Sequence, residues 1–299
     1  MAGIVVEVYA KINLGLAVVR RRPDGYHDID TIFQTVSLAD TVAVEASAGG
    51  GMSLRIEGAG VPGGPENLAW RAAEAVIERT GSPGVSIELT KRIPVAAGLG
   101  GGSADAAAVL VGMNELMGLG LSLSDLREIG LTIGSDVPFA VGGGTALGRG
   151  RGEKLEQLPP FRGAWFILVT PKQAVSAAEG YARARIGLTQ SAEFIRLNRS
   201  AIQDGDVPGL AKRLRNDLEA GVVLSCPDVA TIKARLMDLG VLGAVMSGSG
   251  PTVVGVVESE ELAAEVASGL SGPHWRIHVV EPIDAGCRVT HRELDREGA

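Results

Sequence analysis

The chain has 299 residues, 45% hydrophobic and 21% charged, a globular balance that excludes a disordered segment or a fibre and allows one large domain or two small ones. A net charge of −7 argues against a broad nucleic-acid footprint. The 42 glycines are about twice the usual share of roughly 7% and follow no collagen-like period, so they must serve turns and close backbone approaches.

Aromatic residues make up only 4%, so core volume has to come from Ala, Val, Leu and Ile. Cys226 and Cys287 form no CxxC pair and are too few for a disulfide framework. No apolar run reaches the roughly 18 residues needed to span a bilayer, so no membrane partner is expected. The opening MAGIVVEVYAKINLGL lacks a basic stretch ahead of its apolar run and carries Glu7 and Lys11 inside it, unlike a signal peptide. The chain therefore reads as soluble, reduced and cytoplasmic.

In chain order, IVVEVY (4–9) and LGLAVV (14–19) are short β-branched runs that suit strands. Between 20 and 27, RRRPDGYH contains a turn signal in which Pro23 fixes φ and Gly25 tolerates a positive one. Strand patterns follow near 29–37, 41–47 and 52–57. ENLAWRAAEAVIER predicts a helix with Asn67 as N-cap. VSIELTKRI (85–93) alternates as a strand. ADAAAVLVGMNEL continues as a helix to about 117, and a further helix is expected from Ser124 to about Gly134. The second half offers a strand at 165–170, helical patterns near 175–187, 207–220 and 228–238, strands at 241–246 and 252–257, a helix at 259–269 and a last strand at 275–281. This alternation predicts α+β or α/β, without internal repeats. The polar, Gly/Pro-rich stretch 150–163 marks the boundary, giving an N-terminal domain over 1–157 and a C-terminal one over 158–299. The charged tail RELDREGA reads as solvated.

The strongest local signal is Pro94-Val95-Ala96-Ala97-Gly98-Leu99-Gly100-Gly101-Gly102-Ser103, set between a strand and a helix. Four glycines in five positions strip the loop of side chains, so backbone N–H groups can close around an anion. The following helix points its free N–H groups at the same place. Ser103 can offer its hydroxyl to a phosphate or to a bound Mg²⁺. The spacing is neither GxxxxGK[ST] nor GxGxxG, which disfavours the P-loop and dinucleotide-binding folds. A second loop, Ser247-Gly248-Ser249-Gly250-Pro251, lies between two apolar strands. Asp136 sits among apolar residues before Val-Pro, where a charge needs a partner. Lys11 lies alone in the apolar opening.

Taken together these segments resemble the GHMP kinase superfamily: PVAAGLGGGSADAAAVL is similar to its second motif and MSGSGPTVVG to its third. The opening, AKINLGLAVVRRRPDGYHDIDTIFQTVSLAD, is similar to the branch that phosphorylates 4-diphosphocytidyl-2-C-methylerythritol in non-mevalonate isoprenoid synthesis. GSDVPFAVGGGTALGRGRGEKLEQL and NDLE (216–219) match the same branch. The resemblance spans residues 8–258 and implies an α+β, two-domain fold, its active site in the cleft between an N-terminal and a C-terminal α/β sandwich. It also implies ATP as phosphoryl donor, Mg²⁺, and a cytidine diphosphate-linked methylerythritol as small-molecule substrate.

Residue by residue, the resemblance makes Lys11 and Asp136 the catalytic pair, Asp136 the base and Lys11 its electrostatic partner. Asn13 and His27 hold the substrate, His27 reading the cytosine edge, with Tyr26 stacked on the ring and Tyr181 as a second stacking candidate. Residues 94–104 bind ATP, Asn67 lies near the adenine, and Lys91 either reaches the nucleotide or is an exposed strand-end lysine. The loop departs from the family at Ala104, where a second serine is common, so one hydroxyl is missing. Arg20-Arg21-Arg22 read as a solvated turn or as help for the substrate diphosphate. A kinase acting on mevalonate or homoserine, and a catalytically silent nucleotide-binding protein, are the alternatives. Oligomeric state, monomer or weak homodimer, stays open.

Overall fold

The computed structural model describes residues 3–47, 49–58, 60–182, 191–270 and 274–293. The sequence signal for four short strands at the start resolves into two long ones, β1 (Gly3–Arg21) and β2 (His27–Ala46). They pair antiparallel from Gly3↔Glu45 to Arg21↔His27, and bulges near Tyr9/Ala10, Asn13/Gly15 and Val18/Arg20 let the ladder continue through the stretch that breaks the pattern. Every residue from Val8 to Val18 is buried, so the two-residue alternation that marks a half-exposed strand vanishes there. The hairpin closes over Arg22–Tyr26, with Gly25 at φ 87° as its turn sequence requires.

After β3 (Ser53–Glu57) comes α1 (Leu68–Thr80), whose N-cap is Asn67 as expected: its Oδ1 accepts the Ala69 N–H at 2.9 Å. Then follow β4 (Val85–Thr90), α2 (Gly101–Met117) and α3 (Leu123–Ile133). The cap of α3 is Ser122 and not Ser124, because Ser122 and Asp125 bond each other's backbone N–H reciprocally. The segment around the expected domain boundary is ordered: α4 (Val137–Gly142) is followed by β5 (Thr145–Gly150) and β6 (Lys154–Gln157). The second half runs β7 (Trp165–Thr170), α5 (Ala177–Ala182), α6 (Ser191–Asp204), α7 (Val207–Ala211), α8 (Glu219–Val223), α9 (Asp228–Asp238), β8 (Gly243–Met246), β9 (Val253–Val257), α10 (Glu260–Gly269), β10 (Arg276–Val280), β11 (Pro282–Ile283) and β12 (Cys287–Glu293). The helical pattern expected near 175–187 begins in α5, and its end lies outside the described residues, as does most of the C-terminal tail. The single helix expected over 207–220 is two short ones, because the intervening chain carries NDLE and leaves the helix to bond β1.

Two sheets result. The first has the order β12-β1-β2-β4-β3, with β5 and β11 also on β2 and β6 on β5; the second has the order β10-β7-β9-β8. A cut at 157/158 separates the strands of the two sheets except at the end of the chain, where β11 and β12 return to β2 and β1. Helices α1 and α2 pack on each other and α2 lies on β1 and β2. The far ends of β1 and β2 join the other core: Leu16, Val18 and Ile29 pack with Ile167, Val169 and Leu218. The lysine and asparagine of the AKINLGL segment are therefore carried by a strand that is sandwiched on both sides.

Candidate active site

The loop between β4 and α2 folds as its glycines suggested. Gly98 stands at φ 76° and Gly100, the N-cap of α2, at φ 72°, both in the left-handed region. At Gly98 the requirement is also steric, since an added Cβ would lie 2.2 Å from the Ser247 carbonyl oxygen of the second glycine loop. The two loops are laced together: Ser247 Oγ donates to the Gly98 carbonyl at 2.9 Å and accepts the Asn13 N–H at 3.2 Å. The Thr252 N–H donates to the Ala97 carbonyl at 3.3 Å, and the Lys11 N–H to the Leu99 carbonyl at 3.0 Å. NDLE fastens the second loop from below. Asn216 Nδ2 donates to the Met246 and Gly248 carbonyls, each at 2.7 Å, while Asp217 accepts the Val18 N–H at 2.9 Å.

Lys11 is buried, and its ammonium lies 3.3 Å from Asp136 Oδ2, 2.8 Å from Asn13 Oδ1 and 5.4 Å from the centre of the Phe33 ring. Asn13 is held in turn by Thr31, which accepts from Asn13 Nδ2 at 2.7 Å and donates to the Gly15 carbonyl at 2.7 Å. Asp136 opens α4, and its side chain is 32% exposed. The two residues that the sequence places 125 positions apart thus form an ion pair facing a cleft.

Two cavities meet at that pair. The larger, of about 830 Å³, is lined by Asn13, Arg21, Tyr26, His27, Phe33, Arg151, Tyr181 and Gly248 among others. The smaller, of about 460 Å³, is lined by Pro62, Asn67, Leu68, Pro94–Gly98 and Gly100–Gly102 among others. Lys11, Ser103, Asp136 and Ser249 stand on the walls of both. The smaller cavity therefore holds the phosphate loop and the N-terminus of α2, and the larger one the aromatic turn.

Within the larger cavity the ring of Tyr181 stacks on His27, centroids 5.4 Å apart, and the Arg151 guanidinium lies 4.9 Å over the ring of Tyr26, which is 56% exposed. Burial, together with the nearby Arg21 charge, holds the His27 imidazole below the usual histidine range, so its neutral form is favoured at neutral pH. Burial beside Asp136 raises the Tyr181 hydroxyl and keeps it a phenol. The arginine trio divides. Arg20 pairs with Asp28 at 2.6 Å and Arg22 with Asp24 and Asp28 at 2.8 and 3.1 Å, whereas Arg21 faces the cavity.

Two residues expected at the nucleotide sit elsewhere, while Lys91 and Asp105 line the smaller cavity from within an ion cluster. The side chains of Leu99 and Ala104 lie in the core, so a second hydroxyl at position 104 would face α2's packing partners and not the cavity. Lys91 is not an exposed strand-end lysine: its side chain is 3% exposed and its ammonium binds Asp40 at 2.5 Å and Asp105 at 2.7 Å. Burial alone would lower its pKa, but the two carboxylates together raise it. Burial pushes the Asp105 carboxyl up to about 7 against the pull of Lys91. Ser247 and Gly250 of the second loop shape it from behind, and Gly248 and Ser249 reach the cavity. Arg21, Phe33 and Arg151 are cavity residues that sequence reasoning did not single out individually. Arg151 follows the Gly-Arg-Gly of β5, a signal read only as part of a polar boundary.

The GHMP kinases N terminal domain family matches residues 67–144 and the GHMP kinases C terminal family residues 198–273. The 4-diphosphocytidyl-2-C-methyl-D-erythritol kinase of Moorella thermoacetica is 49% identical over 270 residues, 89% of this chain and 94% of that protein. The enzyme of the same name from Pelotomaculum thermopropionicum is 48% identical over 260 residues, 87% of this chain and 91% of that protein. A crystal structure of 4-(cytidine 5'-diphospho)-2C-methyl-D-erythritol kinase superposes with a TM-score of 0.75 at 34% identity, covering 93% of this chain and 99% of that one. A homoserine kinase from Cytophaga hutchinsonii shares the fold with a TM-score of 0.80 at 20% identity, covering 96% of this chain and 97% of that one. With close to half of its residues identical to those relatives over nearly their whole length, the chain belongs to the 4-diphosphocytidyl-2-C-methyl-D-erythritol kinase family of the GHMP kinases.

Proposed function

We propose that this protein transfers the γ-phosphoryl group of ATP to the 2-hydroxyl of 4-diphosphocytidyl-2-C-methyl-D-erythritol, giving the 2-phosphate and ADP. The observation that carries the reading is the shared wall of the two cavities, where Lys11, Ser103 and Asp136 stand between a phosphate loop and an aromatic, cationic pocket. ATP lies with its phosphates over the loop, met by backbone N–H groups and the N-terminus of α2. The cytidine lies by Tyr26, His27 and Tyr181. Arg21 and Arg151 line the same pocket and meet the diphosphate, a role for which a planar guanidinium is suited.

In the transfer the acceptor oxygen bonds to the γ-phosphorus as the bond from that phosphorus to the β–γ bridging oxygen breaks. Asp136 takes the hydroxyl proton, and Lys11 offsets charge on the transferring group. Asn13 and Phe33 fix the ammonium in place. Because phosphoryl transfer passes through a loose transition state, positioning and charge should outweigh proton abstraction.

Magnesium fits this site as an ion carried by the nucleotide. Among the described residues no three His, Cys, Asp or Glu side chains gather into a cage, and the Ser103 hydroxyl on the shared wall is the hard oxygen donor that Mg²⁺ accepts beside phosphate oxygens and water. When bound, the ion neutralises developing phosphate charge.

The test is ADP release from ATP with the cytidine substrate, mevalonate and homoserine in parallel, with the product identified by phosphorus NMR. Turnover confined to the cytidine substrate is expected. Equal turnover of mevalonate or homoserine, or nucleotide binding without ADP release on any of the three, overturns the reading.

A further inference from the structure

The phosphate loop begins after β4 and ends in the first turn of α2, and a buried ion cluster stands under both of its ends. At the near end Asp40 Oδ1, from β2, accepts the backbone N–H of Arg92 at 2.5 Å and of Ile93 at 2.9 Å. At the far end Asp105 Oδ2, on α2, accepts from Lys91 Nζ at 2.7 Å. The same ammonium donates to Asp40 Oδ2 at 2.5 Å and lies 3.2 Å from where a Cβ on Gly101 would be. One lysine thus joins the carboxylate that shapes the loop's entrance to the carboxylate that follows its exit.

We infer that Asp40, Lys91 and Asp105 form a clamp that holds the two ends of the phosphate loop in register, so that Lys91, although it lines the smaller cavity, serves nucleotide binding through the loop. The inference rests on the reading of the smaller cavity as the ATP site. The Lys91 ammonium already donates to both Asp40 and Asp105, so little of its charge is left to meet a triphosphate directly. The remaining contribution is geometric: donors held in place before the ligand arrives bind it at a smaller ordering cost. All three are positioning residues.

The test measures binding of a non-hydrolysable ATP analogue together with amide hydrogen exchange over residues 92–104. It compares the wild type with Asp105→Ala, Asp105→Asn, Lys91→Met and the Lys91→Met/Asp105→Ala double variant. Asp105→Ala leaves Lys91 and Asp40 paired one to one and is the variant expected to fold if Lys91→Met does not. The clamp predicts that Asp105→Ala weakens the analogue about tenfold or more and speeds exchange across the loop. It also predicts a raised KM for ATP, with kcat and the KM for the cytidine substrate within about threefold of the wild type. Asp105→Asn, which keeps an oxygen for Lys91, should recover most of the affinity, and the double variant should be no worse than the weaker single one. Direct contact of Lys91 with the nucleotide predicts the opposite: Asp105→Ala frees the ammonium and tightens binding. Unchanged or tighter binding by Asp105→Ala, or unchanged loop exchange, overturns the clamp. Failure of the wild type itself to bind the analogue overturns the nucleotide reading, and the exchange comparison still judges the clamp.

Discussion

Replacing Asp136 by Asn is the sharpest probe of the proposed chemistry. The substitution keeps the shape of the side chain and removes both its charge and its ability to take a proton. The ammonium of Lys11 keeps Asn13 at 2.8 Å and Phe33 beneath it, so it stays in place when the partner 3.3 Å away is neutralised. Because the carboxylate is 32% exposed, loss of the pair should cost folding no more than the ~0–1 kcal/mol of a solvent-screened ion pair. That corresponds to a change in Tm of no more than about 4 °C. General-base assistance is worth roughly 10²–10⁴ in rate, about 3–5 kcal/mol of barrier. Steady-state kinetics with both substrates varied should therefore show kcat lowered at least about 100-fold with both KM values little changed, the pattern of an interaction made in the transition state. Turnover within a few-fold of the wild type at unchanged Tm would refute the base assignment.

His27→Ala should raise the KM for the cytidine substrate and leave that for ATP alone; equal losses for both would make His27 a scaffold residue, as its stacking on Tyr181 alone would allow. Since burial and Arg21 depress the His27 pKa, acidification protonates the ring only below the usual histidine range. The KM for the cytidine substrate should accordingly be flat near neutrality and rise only in more acidic buffer, and Arg21→Gln should move that rise to higher pH. Arg151→Ala should raise the same KM roughly ten- to hundredfold, the worth of a charge-assisted hydrogen bond, as measured by ADP release at saturating ATP. Asn216→Ala leaves the Met246 and Gly248 carbonyls and the Leu218 N–H without their side-chain partner, so the thermal unfolding temperature should fall by several degrees.

The sequence carried the fold wherever local pattern and burial agreed. Asn67 caps α1, WFILVT is β7, and the glycine run lies between β4 and α2 because strand, turn and helix signals there are contiguous. It failed where long-range packing overrode the pattern. β1 is buried on both faces, so its two halves read as separate strands. β12 pairs with the first strand of the chain, and such a pairing leaves no local trace. The site was legible as a set of motifs through resemblance, and Lys11 and Asp136 do meet. Of the two settings the sequence allowed Lys91, the exposed strand end fails because its partners, Asp40 and Asp105, lie 51 and 14 residues away and nothing in the sequence announces that all three are buried together.

The glycine excess noted at the outset finds part of its explanation in the same place. A lysine buried on the wall of a cleft beside an aspartate needs support, and here part of that support is main chain. An added Cβ on Gly248 would lie 3.1 Å from both Lys11 Nζ and Asn13 Oδ1 and 3.2 Å from the Gly98 carbonyl oxygen. At Gly98 the clash would be with Ser247 of the opposite loop. Each loop is thus glycine where the other, or the lysine, passes closest. The interlocking carries the phosphate-binding backbone of one half against the ammonium delivered by β1 and the loop delivered by the second sheet. A side chain at Gly98 would push against the main chain of the opposite loop and hold the two loops apart beside the residues on which transfer depends.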